Sequence, residues 1–324
     1  MVYTTYLLVQ NAGMAFAREW SPGEIAEVWV HDKGSDTRRL RGDIVIEDLT
    51  LTLRRISART GANGPQSPVT QFILAAAAEH LAARLIDDVQ SRDGREPLPR
   101  MLSGSLGHQP FIESVLGMSQ HQMLRRWPLA NDWYADVVSY ILRPVRFAAT
   151  EEVIRNELPT WLTLPFGEVV RRFAIEHLVV RGDQRIFRVA EAIQALWPDY
   201  EPVRASQRQY RESVHTHWEP VFAAIMQAYD LHLGPGVSLA EASWAFNAVH
   251  WREVQERLAD PERALYSVRP GTEWTWSGRA GLMVCAGAVV TADGRPLTAD
   301  ELAVRPPAAR DSRATQPLVD AGLL

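Results

Sequence analysis

An all-α chain is predicted from three features of the 324 residues. Apolar residues recur at helical spacing over long stretches, caps and breakers punctuate those stretches, and a Gly-then-Ser turn between two brief helices marks a helix-turn-helix. A helical bundle is expected after that motif, with a small β-hairpin near the C-terminus.

Length and composition bound the answer. The chain has room for two domains, and 46% hydrophobic with 23% charged residues is ordinary for a globular protein. A net charge of −5 argues against a protein that coats nucleic acid generally, yet leaves room for a single reading helix. Cys285 is the lone cysteine, so an intrachain disulfide and a Cys-based zinc site within one chain are excluded. The start MVYTTYLLVQNAG lacks the basic region of a signal peptide. The longest apolar runs, such as Leu282 to Val290, fall far short of the ~20 residues a membrane span needs. A cytoplasmic protein with no membrane association is the expectation. Lys33 is the sole lysine among 34 basic residues, and because the arginines are spread over the whole chain, a GC-rich genome explains them better than nucleic-acid binding.

Residues 1–65 form an extension whose fold the sequence leaves open. Ser21 to Glu24 could start a short helix carrying Ile25 and Val28, while Asp43 to Leu53 alternates like a strand but also permits a helix. The cluster Gly61 to Pro68 breaks the chain. A helix is predicted from Val69 to about Val89, striped by residues 69, 73, 77, 81 and 85. Ser91 to Gln109 follows as a segment whose Arg92, Arg95 and Arg100 could touch DNA phosphates, though a solvated loop is the preferred reading.

The stretch Pro110 to Leu142 carries the motif, within a domain of residues 66–143. Pro110 opens a helix that Gly117 can leave through a positive φ. Ser119 and Gln122 have capping-box spacing for the next helix, which Pro128 ends, and Asn131 is expected to cap a third helix running to about Leu142. Met123 and Trp127, four apart, share the inner face, with His121 and Arg125 opposite them. Ser119, Gln120, His121, Gln122, Arg125 and Arg126 thus offer groups that can hydrogen-bond base edges and phosphates. The same composition also suits an ordinary polar face on a bundle helix.

Residues Gly117 to Ser119, Leu124 to Pro128, Trp133 and Val137 resemble the DNA-binding segment of the tetracycline-repressor (TetR) family. The run PGVSLAEASWAFNAVHWREVQERLADP is similar to a stretch of that family's regulatory domains, which often starts Pro-Gly-Val/Thr-x-x-Glu and ends with Arg…Asp-Pro. The resemblance implies a homodimeric repressor of all-α fold that binds a double-stranded DNA operator and is released by a small apolar effector. Leu124 and Ala130 stand where the family usually has Tyr and Lys, which contact phosphate. Charge over residues 109–140 is also low, two arginines against three carboxylates. The alternative is a repressor-fold protein that has lost DNA binding and serves as a ligand-binding or interaction module.

Residues 144–264 are expected to form the effector and dimerisation domain. Helices are predicted from Thr150 to Pro159, Pro165 to Gly182 and Gln184 to Trp197, then one long helix from Val203 to Leu231. Gly234-Pro235-Gly236 turns the chain, and Ser238 with Glu241 forms a capping box opening a helix that ends near Asp260. The apolar faces of the last two helices exceed what one short bundle buries, hence the homodimer. Trp161, Phe166, Phe173, His177, Trp218, Phe222 and Trp244 are the candidate ligand-cavity residues, although any one such aromatic more often simply forms the core or the dimer seam. In the C-terminal segment 265–324, Leu282 to Val290 and Arg295 to Leu297 are read as a hairpin, and a disordered tail follows from Arg305.

No catalytic or cofactor chemistry is expected. His215 and His217 would point about 200° apart on a helix and cannot share a metal. Glu79-His80 and Glu176-His177 face different ways, and Asp87-Asp88 reads as a solvated helix end. No phosphate loop, nucleophile elbow or HExxH occurs.

Overall fold

The computed structural model describes residues 19–34, 37–86, 106–107, 110–143, 148–182, 185–213, 218–260, 266–269 and 272–308. Arg92, Arg95, Arg100, Asp87, Asp88, His215, His217 and the tail from 309 lie outside the described residues. The fold is mainly helical, with three two-stranded sheets among the described residues. No described helix is long and apolar enough to cross a membrane. The chain divides into two compact units, Met1–Arg143 with Arg188–Ser206, and Pro144–Phe187 with Gln207–Leu324.

The first unit begins with an antiparallel hairpin, β1 (Ile25–His31) and β2 (Arg38–Val45). The helix considered for Ile25 and Val28 does not form. Ala26, Val28 and Val30 are buried while Ile25, Glu27 and Trp29 point out, and that period of two selects a strand. Asp43 to Val45 completes the second strand rather than a helix. The chain then meets helix α1 (Pro68–Ile86), where buried Gln71 accepts from the Glu47 amide at 2.9 Å and donates to the Glu47 carbonyl at 2.7 Å. The amide side chain thereby acts as a strand partner, satisfying backbone groups that burial would otherwise orphan.

Pro110–Val115 winds as a π-helical turn, followed by the short helix α2 (Gln120–Leu124) and by α3 (Ala130–Ile141). Leu129, not Asn131, is the N-cap of α3, and no side chain caps it. Arg143 closes the unit with a two-pronged ion pair to Glu47, both N–O distances 2.8 Å, its guanidinium stacked 3.6 Å from the Tyr140 ring centre.

The second unit holds α4 (Ala148–Trp161), α5 (Phe166–Gly182), α8 (Glu219–Ala228), α9 (Leu239–Ala259), α10 (Trp276–Ala288) and α11 (Ala299–Ala303), while α6 (Arg185–Leu196) and α7 (Glu201–Ser213) are divided between the units. Pro159 does not stop α4, because Leu158, Trp161 and Leu162 are buried in the core and hold the last turn around it. The long helix expected from Val203 to Leu231 is described as α7 and α8, with 214–217 outside the described residues, and it ends at Ala228 rather than Leu231. Asp230 takes a φ of +50° that ends helical winding. Leu231–Leu233 then forms β3, paired antiparallel with β6 (Val289–Thr291). β4 (Tyr266–Arg269) and β5 (Thr272–Trp274) make the remaining sheet.

The capping box at Ser238 is present in both directions. The expected Leu282–Val290 strand is corrected: residues through Ala288 are helical. Thr275 caps α10, and the buried Glu253 carboxylate accepts from the Trp276 and Ser277 amides at 3.1 and 2.5 Å. A carboxylate at a helix N-terminus satisfies orphan amides and complements the dipole, which commits this stretch to a helix. The expected turn at residues 292–294 is present, with Gly294 at φ +79° and Val290 bridging to Pro296. Residues 305–308 are ordered, contrary to the expected tail: Arg305 donates to the Tyr229 carbonyl at 2.7 Å and Ala308 N donates to the Ala228 carbonyl at 2.8 Å.

Candidate functional site

Two features stand out, a polar face around α2 in the first unit and an apolar cavity in the second. Gly117 leaves the π turn at φ +62°, as its place before Ser119 requires. Met123 and Trp127 are fully buried, and Trp127 packs on Trp133 at 4.8 Å between ring centres, with Phe111 6.0 Å from Trp133. This aromatic cluster fixes which face of α2 points out.

On that outer face His121 and Arg125 are exposed and paired, Arg125 Nε donating to His121 Nε2 at 2.9 Å. Ser119 and Gln120 are half-buried at the start. Ser119 sits at the N-cap in extended backbone, but the predicted capping box does not form. Gln122 turns away instead and donates to the His31 carbonyl at 2.8 Å. The largest correction concerns Arg126, expected on the reading surface. Its side chain is buried, with Nε donating to Thr70 Oγ1 at 2.8 Å and Nη1 and Nη2 to the carbonyls of Gln122 and Ala62 at 2.7 and 2.8 Å. Burial, with a smaller contribution from Arg125, pushes this guanidinium down to about 10.

The hairpin supplies neighbours that the residue spacing around α2 does not reveal. Asp32 bridges to Met118, Lys33 N donates to the Gly117 carbonyl at 3.1 Å, and Arg41 donates to the Leu116 carbonyl. A Cβ placed on Gly117 would lie 3.4 Å from Arg41 Nη2 and 3.6 Å from Arg39 Nη2. Arg39 pairs with Asp32 at 2.8 Å and Lys33 with Glu113 at 2.7 Å, both cations staying about half exposed. At the other end of α2, Ser57 N donates to the Arg126 carbonyl at 2.9 Å, beside exposed Arg54 and Arg55. The clustering of Arg38, Arg39 and Arg41 was the available signal, but only the hairpin brings it to this turn.

The cavity of the second unit has a volume of about 50 Å³ and a wholly apolar surface. Phe166, Phe222, Met226, Phe246, Cys285 and Val289 are among its lining residues. Of the seven candidate ligand residues, Phe166 and Phe222 line it. Trp161, Phe173 and Trp218 are buried in the surrounding core, where Phe173 meets Trp218 edge-on at 5.5 Å and Phe246 at 5.6 Å. Trp244 is 73% exposed and lies outside the cavity, and the His177 side chain lies outside the described residues. Burial pushes the Cys285 thiol up to about 12, so it behaves as a small apolar wall group. Phe246, absent from the candidates, touches Phe222 at 5.4 Å and His250 at 4.2 Å between ring centres. Its place in the helical stripe of α9 was legible, but the cavity beside it was not.

Comparison of the chain with protein-family models, with curated proteins and with solved structures returns no match.

Proposed function

We propose that the chain is a TetR-like transcription regulator, a homodimer whose α2 helices read a palindromic DNA operator and whose second unit takes a small apolar effector. The observation that carries this reading is the exposed His121–Arg125 pair beside Gln120, projecting from a helix pinned by buried Met123 and Trp127. Groups of this kind can hydrogen-bond base edges in a major groove. The apolar cavity bounded by Phe166, Phe222 and Phe246 supports the effector half of the reading. An effector that binds the non-reading state more tightly would shift the population and release DNA.

The test is selection of genomic fragments by the purified protein, followed by titration at two salt concentrations. Specific fragments are expected, with binding that weakens as salt rises and base preference that changes in Arg125→Ala. Failure of a folded dimer to enrich any fragment would decide against it.

A second reading is favoured by the commitment of Gln122 and Arg126 to intrachain hydrogen bonds. With those two groups inside, the repressor-like fold would serve as a ligand-binding or protein-interaction module without an operator. The same selection separates the two readings.

A further inference from the structure

Leu124 and Ala130 leave the segment around α2 poor in groups that grip phosphate. Contacts to phosphate nonetheless set the register of a reading helix and supply much of its affinity. The cations that α2 itself lacks stand at its two ends. At the start, hairpin residues Lys33, Arg38 and Arg39 are exposed and Arg41 is partly exposed, all held to the Gly117 turn through the Asp32–Met118 bridge and the Arg41–Leu116 hydrogen bond. The described carboxylates at this end are Asp32 and Glu113, while Glu27 and Asp43 face each other further along the hairpin. At the end of α2, exposed Arg54 and Arg55 lie in a loop fixed by the Ser57 amide donating to the Arg126 carbonyl and the Arg55 amide donating to the Asp136 carboxylate. Asp136 itself is buried.

We propose that Lys33, Arg38 and Arg39 of the hairpin, with Arg54 and Arg55 of the following loop, are the phosphate-contacting groups of the DNA-binding surface. They hold the duplex backbone at both ends of α2 while Gln120, His121 and Arg125 meet the bases. This assignment rests on the operator-reading proposal above. A helix in a major groove about 12 Å wide has a phosphate strand along each wall, so a reading helix bracketed by cations is held more firmly than one gripped at a single end. Arginine suits the role because its planar fork can donate two parallel bonds to one phosphate.

The experiment compares the pairs Arg38→Ala/Arg39→Ala and Arg54→Ala/Arg55→Ala with the unaltered full-length chain. Binding is measured on the selected duplex and on a scrambled one across a salt series, with circular dichroism melts to verify folding. Each pair is expected to weaken both duplexes by a similar factor and to reduce the slope of log affinity against log salt by about two, leaving base preference unchanged. The corresponding Arg→Lys pairs retain the charges and should retain most of the slope. Unchanged affinity and slope in both alanine pairs, when the unaltered protein still selects its operator, would overturn this assignment alone. Altered base preference in either pair would also overturn it, since it places those arginines on bases. Failure of the unaltered protein to bind any duplex would remove the operator-reading proposal and this assignment with it.

Discussion

The Trp127 indole Nε1 donates to Asp136 Oδ2 at 2.9 Å, and the same carboxylate accepts from the Arg55 amide at 3.1 Å. One buried acid therefore ties the end of the α2 segment, α3 and the loop after the hairpin together. Burial holds the Asp136 carboxyl above the usual carboxylate range, against the indole and amide donors that favour its charged form. The folded state thus binds this proton more tightly than the unfolded chain does. Between the ordinary value and the raised one, its contribution to stability falls as pH rises. Asp136→Asn should flatten that part of the stability profile, measured by urea unfolding from pH 4 to 7. Asp136→Ala should lose about 1–3 kcal/mol at pH 7 by orphaning the buried indole N–H.

Arg126 and Arg125 are sequence neighbours with opposite roles. Arg126→Ala removes three internal hydrogen bonds from a buried cation and should destabilise the first unit by at least about 3 kcal/mol. Arg125→Ala, at an exposed position, should stay within about 0.5 kcal/mol of the unaltered protein. Thermal melts of the two variants check the contrast.

Gly167 lies where a Cβ would sit 2.8 Å from the Ala303 carbonyl oxygen and 2.9 Å from its Cα. Backbone cannot yield as a flexible side chain would, so Gly167→Ala should lift residues 299–308 from α5 at a cost of about 1–3 kcal/mol. The Phe166 amide to Arg305 carbonyl bond, 2.9 Å, would go with them. Limited proteolysis with elastase should then cut within residues 299–304 faster than in the unaltered chain.

Trp244 presents 73% of its surface from the first third of α9, whose other faces carry buried Phe246, His250 and Val254. If α9 pairs two copies, Trp244→Glu should give a folded monomer at micromolar concentration by light scattering, where the unaltered chain gives a dimer. A monomer in both cases would remove the dimer proposal.

Local chemistry decided what could be read without coordinates. Ser238 and Glu241 are three residues apart, and their reciprocal bonds open α9 where the spacing requires. Gly117 takes the positive φ that its turn needs, and Met123 and Trp127 face inward because residues four apart share one face of a helix. Signals of this kind act within a turn or two of the chain. Partners distant in sequence decided the rest. Gln122 turns from the outer face to a carbonyl 91 residues away, and Arg126 is drawn inward by Ala62 and Thr70, 64 and 56 residues away. Leu282 to Ala288 is equally apolar as helix or strand, and the Glu253 carboxylate, waiting at the Trp276 and Ser277 amides, selects the helix. Burial and hydrogen-bond satisfaction belong to the assembled fold, so a polar side chain with helix-surface spacing could still become part of the interior once the hairpin and α1 offered it acceptors.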